Sequence, residues 1–197
     1  MASPDTGRLH CKARLGKEAP VNSKSITKAD LSVQIRWMIR RDMSEVLQIE
    51  RSSFEYHWTE ADFLHCLRQR NCIGMVAEHG NRVVGFMIYE LFANRLHILN
   101  FAVAPDYRQR GIGNQMVAKL ANKLAQQRRE FITLEVRETN LQAQIFFRGQ
   151  GFEATRVLRD HYRDTSEDAY FMQFALHAGD NQQRFEASNR IADYEEA

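Results

Sequence analysis

The chain of 197 residues carries 27 Lys and Arg against 25 Asp and Glu, a formal net charge of +2, with 44% hydrophobic and 26% charged residues. That length suits one good-sized core with extra ends rather than two domains, the composition excludes a disordered or fibrous chain, and so small a charge gives no ground for nucleic-acid binding. No apolar stretch approaches the ~20 residues of a membrane span, the polar start lacks a signal peptide's apolar segment, and the three cysteines (Cys11, Cys66, Cys72) form no CxxC pair and cannot all pair within the chain, which favours a reducing compartment, the cytoplasm.

Residues 1–31 mix Gly, Pro, Ser and Lys without a sustained period, which predicts a flexible N-terminal arm. SVQIRWMI alternates as a first strand, and DMSEVLQIERSSF reads as a helix burying Met43, Val46, Leu47 and Ile49. Thr59 caps TEADFLHCLRQ, with Asp62 completing an approximate capping box. CIGMVAE and RVVGFMIYEL flank HGN as a tight hairpin. RLHILNFAV is a strand that runs into APDYRQRGIG, and the helix IGNQMVAKLANKLAQQR follows with Ile112, Met116, Val117, Leu120 and Leu124 as its apolar stripe. FITLEVR is a strand, LQAQIFFRGQG a short helix stopped by Gly151, FEATRVLRD another strand, and AYFMQFAL closes the core. Early hairpins and a later strand, helix, strand crossover predict an α/β fold with a mixed sheet and helices on both faces, in one domain over 32–178. Residues 179–197 form a polar extension, which Phe185, Ile191 and Tyr194 could dock as a short helix.

RQRGIG, at 108–113, carries the most visible chemistry. A helix opening near Ile112 presents unpaired backbone N–H groups and the positive end of its dipole, and glycine at 111 and 113 removes Cβ atoms that would hold a phosphate away, so the stretch suits a pyrophosphate. The plain alternative is a glycine-bearing turn beside a solvated charge run. Neither the three-glycine dinucleotide pattern nor a GxxxxGK loop followed by Ser or Thr is present. NFAVAPDYRQRGIGNQMVAKL resembles the acyl-CoA-binding segment of the GNAT superfamily of N-acetyltransferases, whose signature is matched by Arg108, Gln109, Arg110, Gly111, Ile112 and Gly113. LEVRETNLQAQIFFRGQGF, QIERSSFEYHWTEADF and RDHYRDTSEDAYFM are similar to further parts of that fold. They are most similar to its protein N-terminal acetyltransferases, which include the bacterial enzymes acting on a ribosomal protein's alanine terminus.

The resemblance implies a GNAT fold, with a mixed sheet of about seven strands flanked by helices and a splayed strand pair holding acetyl-CoA. The pyrophosphate would meet N–H groups from Arg110 to Asn114. Main-chain groups of Phe101, Ala102 and Val103 would bind the pantetheine and polarise the thioester carbonyl. Asn140 matches an asparagine that contacts the pantetheine arm, and its local alternative is to cap the helix at Leu141; Phe146 and Phe147 border the channel. A protein α-amine has an unperturbed pKa near ~8, so a modest base suffices to deprotonate it. Glu135 is the candidate, on a strand where Thr133, Glu135 and Arg137 share one side. By resemblance it acts directly or through water, while the plain reading is a glutamate on a wet sheet face; Glu50 and Glu90 are further candidates. In related enzymes a tyrosine protonates the departing thiolate, and the matching position here is Phe147, which has no proton to give. Tyr162, which in the family more often holds the acceptor, and His161 are the remaining candidates for the acid.

FEYHWTEADF would border the acceptor groove, with Tyr56 and Trp58 as groove walls or core anchors; it lacks the proline of the Phe-Pro-Trp sequence common in alanine-specific relatives and has one residue more. Neither Cys66 nor Cys72 sits in a motif that would support a ping-pong route, no metal-ligand spacing occurs, and no serine-hydrolase elbow is present. The expected chemistry is direct attack in a ternary complex by an acceptor protein or peptide N-terminus, with a ribosomal protein as one candidate, without nucleic-acid or membrane partners, in a monomer or weak dimer. The alternatives are a lysine or small-amine acetyltransferase, a non-catalytic CoA-binding regulator suggested by Phe147, and a nucleic-acid module.

Overall fold

The computed structural model describes residues 30–162 and 165–176. Most of the expected N-terminal arm, Cys11, and the extension with Phe185, Ile191 and Tyr194 lie outside the described residues. The strands are β1 (Gln34–Trp37), β2 (Cys72–His79), β3 (Arg82–Leu91), β4 (Arg95–Val103), β5 (Phe131–Arg137), β6 (Glu153–Tyr162) and β7 (Glu167–Ala175), and the helices are α1 (Met43–Ser53), α2 (Glu60–Leu67), α3 (Ile112–Gln126) and α4 (Leu141–Gly149). One sheet has the order β1-β2-β3-β4-β5-β7-β6. All neighbours are antiparallel except β4 and β5, which are joined by the crossover through α3. This is the expected mixed α/β architecture.

Local chemistry sets the element ends. Gly80 and Asn81 both take positive φ, 54° and 63°, the geometry of a two-residue hairpin between β2 and β3. Thr59 Oγ1 accepts from the Asp62 N–H while Asp62 Oδ2 accepts from the Thr59 N–H, so the predicted capping box opens α2. The first strand is shorter than its alternation suggested, because a 3₁₀ turn at Arg40–Asp42 begins the descent into α1. Arg36 anchors that junction by donating to both carboxylate oxygens of buried Asp42, at 2.7 and 2.8 Å.

The helices cover opposite faces of the sheet. α1 and α2 lie on one, where Phe63 packs edge-on against Phe86 of β3 at 5.6 Å. α3 and α4 lie on the other, where Met116 approaches Gly85 and the rings of Phe146 and Phe147 meet Phe101. All five stripe residues of α3 are buried, each worth ~1.5–3 kcal/mol against leaving it exposed. Cys66 of α2 and Cys72 of β2 are joined by a disulfide with Cα atoms 6.1 Å apart. The cysteine argument for a reducing compartment therefore loses its footing, since two of the three thiols are paired. No helix among the described residues is long and apolar enough to cross a membrane.

Candidate active site

β4 and β5 are paired only over Arg95–Ile98 and Phe131–Leu134. A bulge moves Leu99 out of register with β3, since Ile88 pairs with Asn100 while Tyr89 pairs with Ile98. Beyond it β4 stays on β3 as far as Val103 but has left β5. The edge of Leu99–Val103 towards β5 is thereby open, where the sequence placed Phe101, Ala102 and Val103.

A cavity of about 630 Å³ lies along this edge, lined by Phe101, Ala102 and Val103, by the loop Arg108, Gln109 and Gly111, by Ile112, Gly113 and Asn114 of α3, and by Asn140, Phe146 and Phe147. The loop turns through positive φ at Gln109 (57°) and Gly111 (73°). The first turn of α3 then directs N–H groups without intrahelical partners towards the cavity, as an anion needs. Arg108 plays a different part from a phosphate clamp. Its guanidinium donates to the Val103 carbonyl at 3.0 Å and to Ser53 Oγ at 2.8 Å, tying the loop to β4 and α1, and burial pushes its pKa down.

The two glycines serve different ends from those inferred for phosphate access alone. A Cβ on Gly111 would come within 2.8 Å of Asp30 Oδ1, and one on Gly113 within 3.0 Å of the Phe146 ring. Gly111 thus supplies a left-handed turn next to the incoming chain, and Gly113 lets α4 close on α3. Asp30 and Leu31, placed by sequence in the arm, reach this loop. The Leu31 N–H donates to the Arg110 carbonyl at 2.9 Å, and Gln115 Nε2 donates to the Leu31 carbonyl at 2.7 Å.

Asn140 combines both roles considered for it in one geometry. Oδ1 accepts from the Ala143 N–H at 3.1 Å, capping α4, and Nδ2 is buried without a partner among the described residues while the residue lines the cavity. An orphaned donor beside an open strand edge and an anion-binding helix terminus fits a long ligand carrying both amides and phosphates, as acyl-CoA does. Phe147 is 2% exposed, in a chain of rings from Phe101 and Phe146 through Phe152 to Phe174. It is a wall of the cavity with no proton to give.

Glu135 is the first β5 residue beyond the pairing with β4; it is not among the residues that line the cavity, and its carboxylate meets β6 across β7. The wet-face reading of its strand fails, because Thr133 and Arg137 are buried at 2% exposure each. Glu135 Oε2 lies 3.0 Å from His161 Nε2, the side chains being 15% and 14% exposed. Arg137 pairs with Glu167 and donates to Thr165 Oγ1 at 2.7 Å. Burial works against the Glu167 carboxylate, but hydrogen bonds from Arg137, Thr139 and Thr165 hold its pKa below the ordinary value.

Trp58 is placed otherwise than as an open groove wall, and Tyr162, the candidate acid or acceptor contact, is buried. The Tyr162 ring is 1% exposed, with the Arg137 guanidinium 3.8 Å above its centroid. Trp58 is 3% exposed and packs edge-on against Phe63. The core-anchor alternative thus describes it, and its backbone N–H donates to Glu50 at 2.7 Å. Tyr56 is 39% exposed, with the Arg137 guanidinium 5.6 Å from its ring. Glu50, an alternative base, is fully buried between the Trp58 N–H and Asn100 Nδ2 and acts as a strut. Glu90 is pushed up by burial.

A strand edge opened beside an anion-binding helix terminus, with the orphaned Asn140 amide along it, fits an acyl-CoA-dependent transferase. Residues 35–152 match the acetyltransferase (GNAT) family, and the chain belongs to it. It is an acyltransferase whose donor is acetyl-CoA. The chain is 26% identical over 133 residues to the [ribosomal protein bS18]-alanine N-acetyltransferase of Escherichia coli (strain K12), covering 66% of this chain and 89% of that one. It is also 26% identical over 174 residues to the N-alpha-acetyltransferase of Sulfurisphaera tokodaii, covering 82% and 95%. The crystal structure of Ard1 from Thermoplasma volcanium superposes with a TM-score of 0.68 at 28% identity, over 75% of this chain and 99% of that one.

Proposed function

We propose that this enzyme transfers acetyl from acetyl-CoA to the α-amine of a protein N-terminus by direct attack in a ternary complex, with a ribosomal protein as the favoured acceptor. One observation carries the reading: Glu135 stands where β5 parts from β4, across the opening from the edge of Phe101, Ala102 and Val103 that lines the cavity. A thioester held along that edge has Glu135 on the strand that parts from it, and an α-amine entering the opening is deprotonated by that carboxylate directly or through water. Main-chain groups of Phe101–Val103 bind the pantetheine and an N–H among them polarises the carbonyl, N–H groups of Arg110–Asn114 hold the pyrophosphate, Asn140 Nδ2 takes a pantetheine oxygen, and Tyr56 borders the acceptor. The similarity to the E. coli and S. tokodaii enzymes supports this acceptor class.

The test is acetyl-CoA turnover on peptides with free and blocked α-amines, with mass spectrometry locating the acetyl group. Free α-amines alone should react, peptides starting with Ala or Ser foremost; transfer to lysine or to small amines instead would overturn the acceptor class. Glu135→Gln should lower kcat by about 100-fold while acetyl-CoA affinity by calorimetry stays unchanged. Full rate at saturating acceptor would remove Glu135 from the base role.

A further inference from the structure

An α-ammonium that becomes an amide loses two protons from nitrogen, one before its lone pair can attack and one as the C–N bond forms and the C–S bond breaks. A single carboxylate must therefore be emptied between the two transfers. The structure places an imidazole where that can happen. β6 departs from regular register between Leu158 and Tyr162. Asp160 takes a φ of 47°, and its N–H donates to Asp168 Oδ1 at 2.9 Å. This irregularity sets His161 Nε2 3.0 Å from Glu135 Oε2 across the intervening β7.

The charges around the imidazole are largely paired among themselves. Arg137 of β5 and Glu167 of β7 form an ion pair, with Arg137 stacked on the Tyr162 ring. Tyr162 stands edge-on to His161 at 5.0 Å. On the other side of the irregularity Arg159 pairs with Asp168 of β7. Among the described residues Glu135 is a carboxylate that meets the ring, and at 14% exposure the His161 side chain still reaches water.

We propose that Glu135 and His161 work as a proton-carrying couple. Glu135 takes the first proton from the docked ammonium and passes it to His161 Nε2. It then takes the second as the C–N bond forms and the thiolate leaves with the C–S electron pair. His161, protonated by that first transfer, gives the proton to water and returns to the neutral ring, then carries the second proton from Glu135 out by the same route; the thiolate is protonated by solvent after release, so Phe147 need supply nothing. This rests on the reading of Glu135 as the base.

The experiment compares the full-length chain with His161→Ala, His161→Gln and Glu135→Gln on a free-α-amine peptide. His161→Ala should lower kcat by about 10- to 100-fold with acetyl-CoA affinity unchanged, and added imidazole should raise it again. His161→Gln, able to hydrogen-bond Glu135 but not to carry a proton, should stay slow. In the free protein the ¹⁵N resonances of the His161 ring should move on Glu135→Gln, a readout independent of turnover. Wild-type kcat in His161→Gln, no response of His161→Ala to imidazole, or unmoved ring resonances would each overturn the couple. If Glu135→Gln is slow and His161→Gln fast, only the couple falls; if Glu135→Gln keeps full rate, the base reading falls with it.

Discussion

Asn140 shows how one side chain can hold two jobs on separate atoms. Its oxygen caps α4 and its nitrogen has no partner among the described residues. Asn140→Asp keeps a capping oxygen and replaces the donor with a charge. Thermal unfolding should therefore shift little while calorimetry shows acetyl-CoA bound about tenfold more weakly, the value of one lost hydrogen bond. Equal affinity would mean that the amide serves the helix alone. At this scale the sequence was informative where a residue acts on near neighbours. The Asn140 cap and the Thr59–Asp62 box were both legible. It was uninformative where a polar residue is paid for by distant partners. The burial of Arg137 had no signal, because nothing nearby in the chain announces Glu167, Thr165 or Tyr162. His161 was ambiguous because a broken register cancels the alternation by which a strand residue is assigned a face.

The junction of β1 and α1 illustrates how elements are joined by charge. The hydrogen bonds from Arg36, followed by that from the Ile39 N–H, hold the Asp42 carboxyl below the usual carboxylate range against the cost of its burial. A carboxyl depressed in the folded state contributes stability that is present above its unfolded value near ~3.9 and is lost as pH falls through the folded value. Urea midpoints measured from pH 7 to pH 3 should thus decline, and Arg36→Met should have a lower plateau and a shallower decline. A parallel curve would show that the pair does not set the acid limb. Element identity was readable throughout from period and caps, whereas the length of β1 was not, because its alternation continues into residues recruited for the turn. The glycines at 111 and 113 were read for a ligand, yet their immediate contacts are Asp30 and Phe146.

Across the whole molecule the sheet consists of two antiparallel parts, β1–β4 and β5–β7, held to each other by a parallel seam of four residue pairs and by α3 crossing between them. Mixed topology was foreseeable from hairpins followed by a crossover, but the shortness of the seam was not, since it depends on the Leu99 bulge, which has no residue signature of its own. Acetyl-CoA along the open edge should protect the amides of 99–103 from hydrogen exchange and leave the β2–β3 hairpin unchanged. At a hundredfold excess over Kd it should raise unfolding free energy by about 2.7 kcal/mol. Unaltered exchange at 99–103 would show that the donor does not use this edge.

The unfinished seam also bears on how long a molecule lasts. A sheet that lacks rungs in its middle borrows them from its own substrate, so the protein is most cohesive while loaded and least so after CoA departs. Proteolysis that acts on opened molecules would then fall mainly on idle copies, and the supply of donor in the cell would regulate how many enzyme molecules persist as well as how fast each one works.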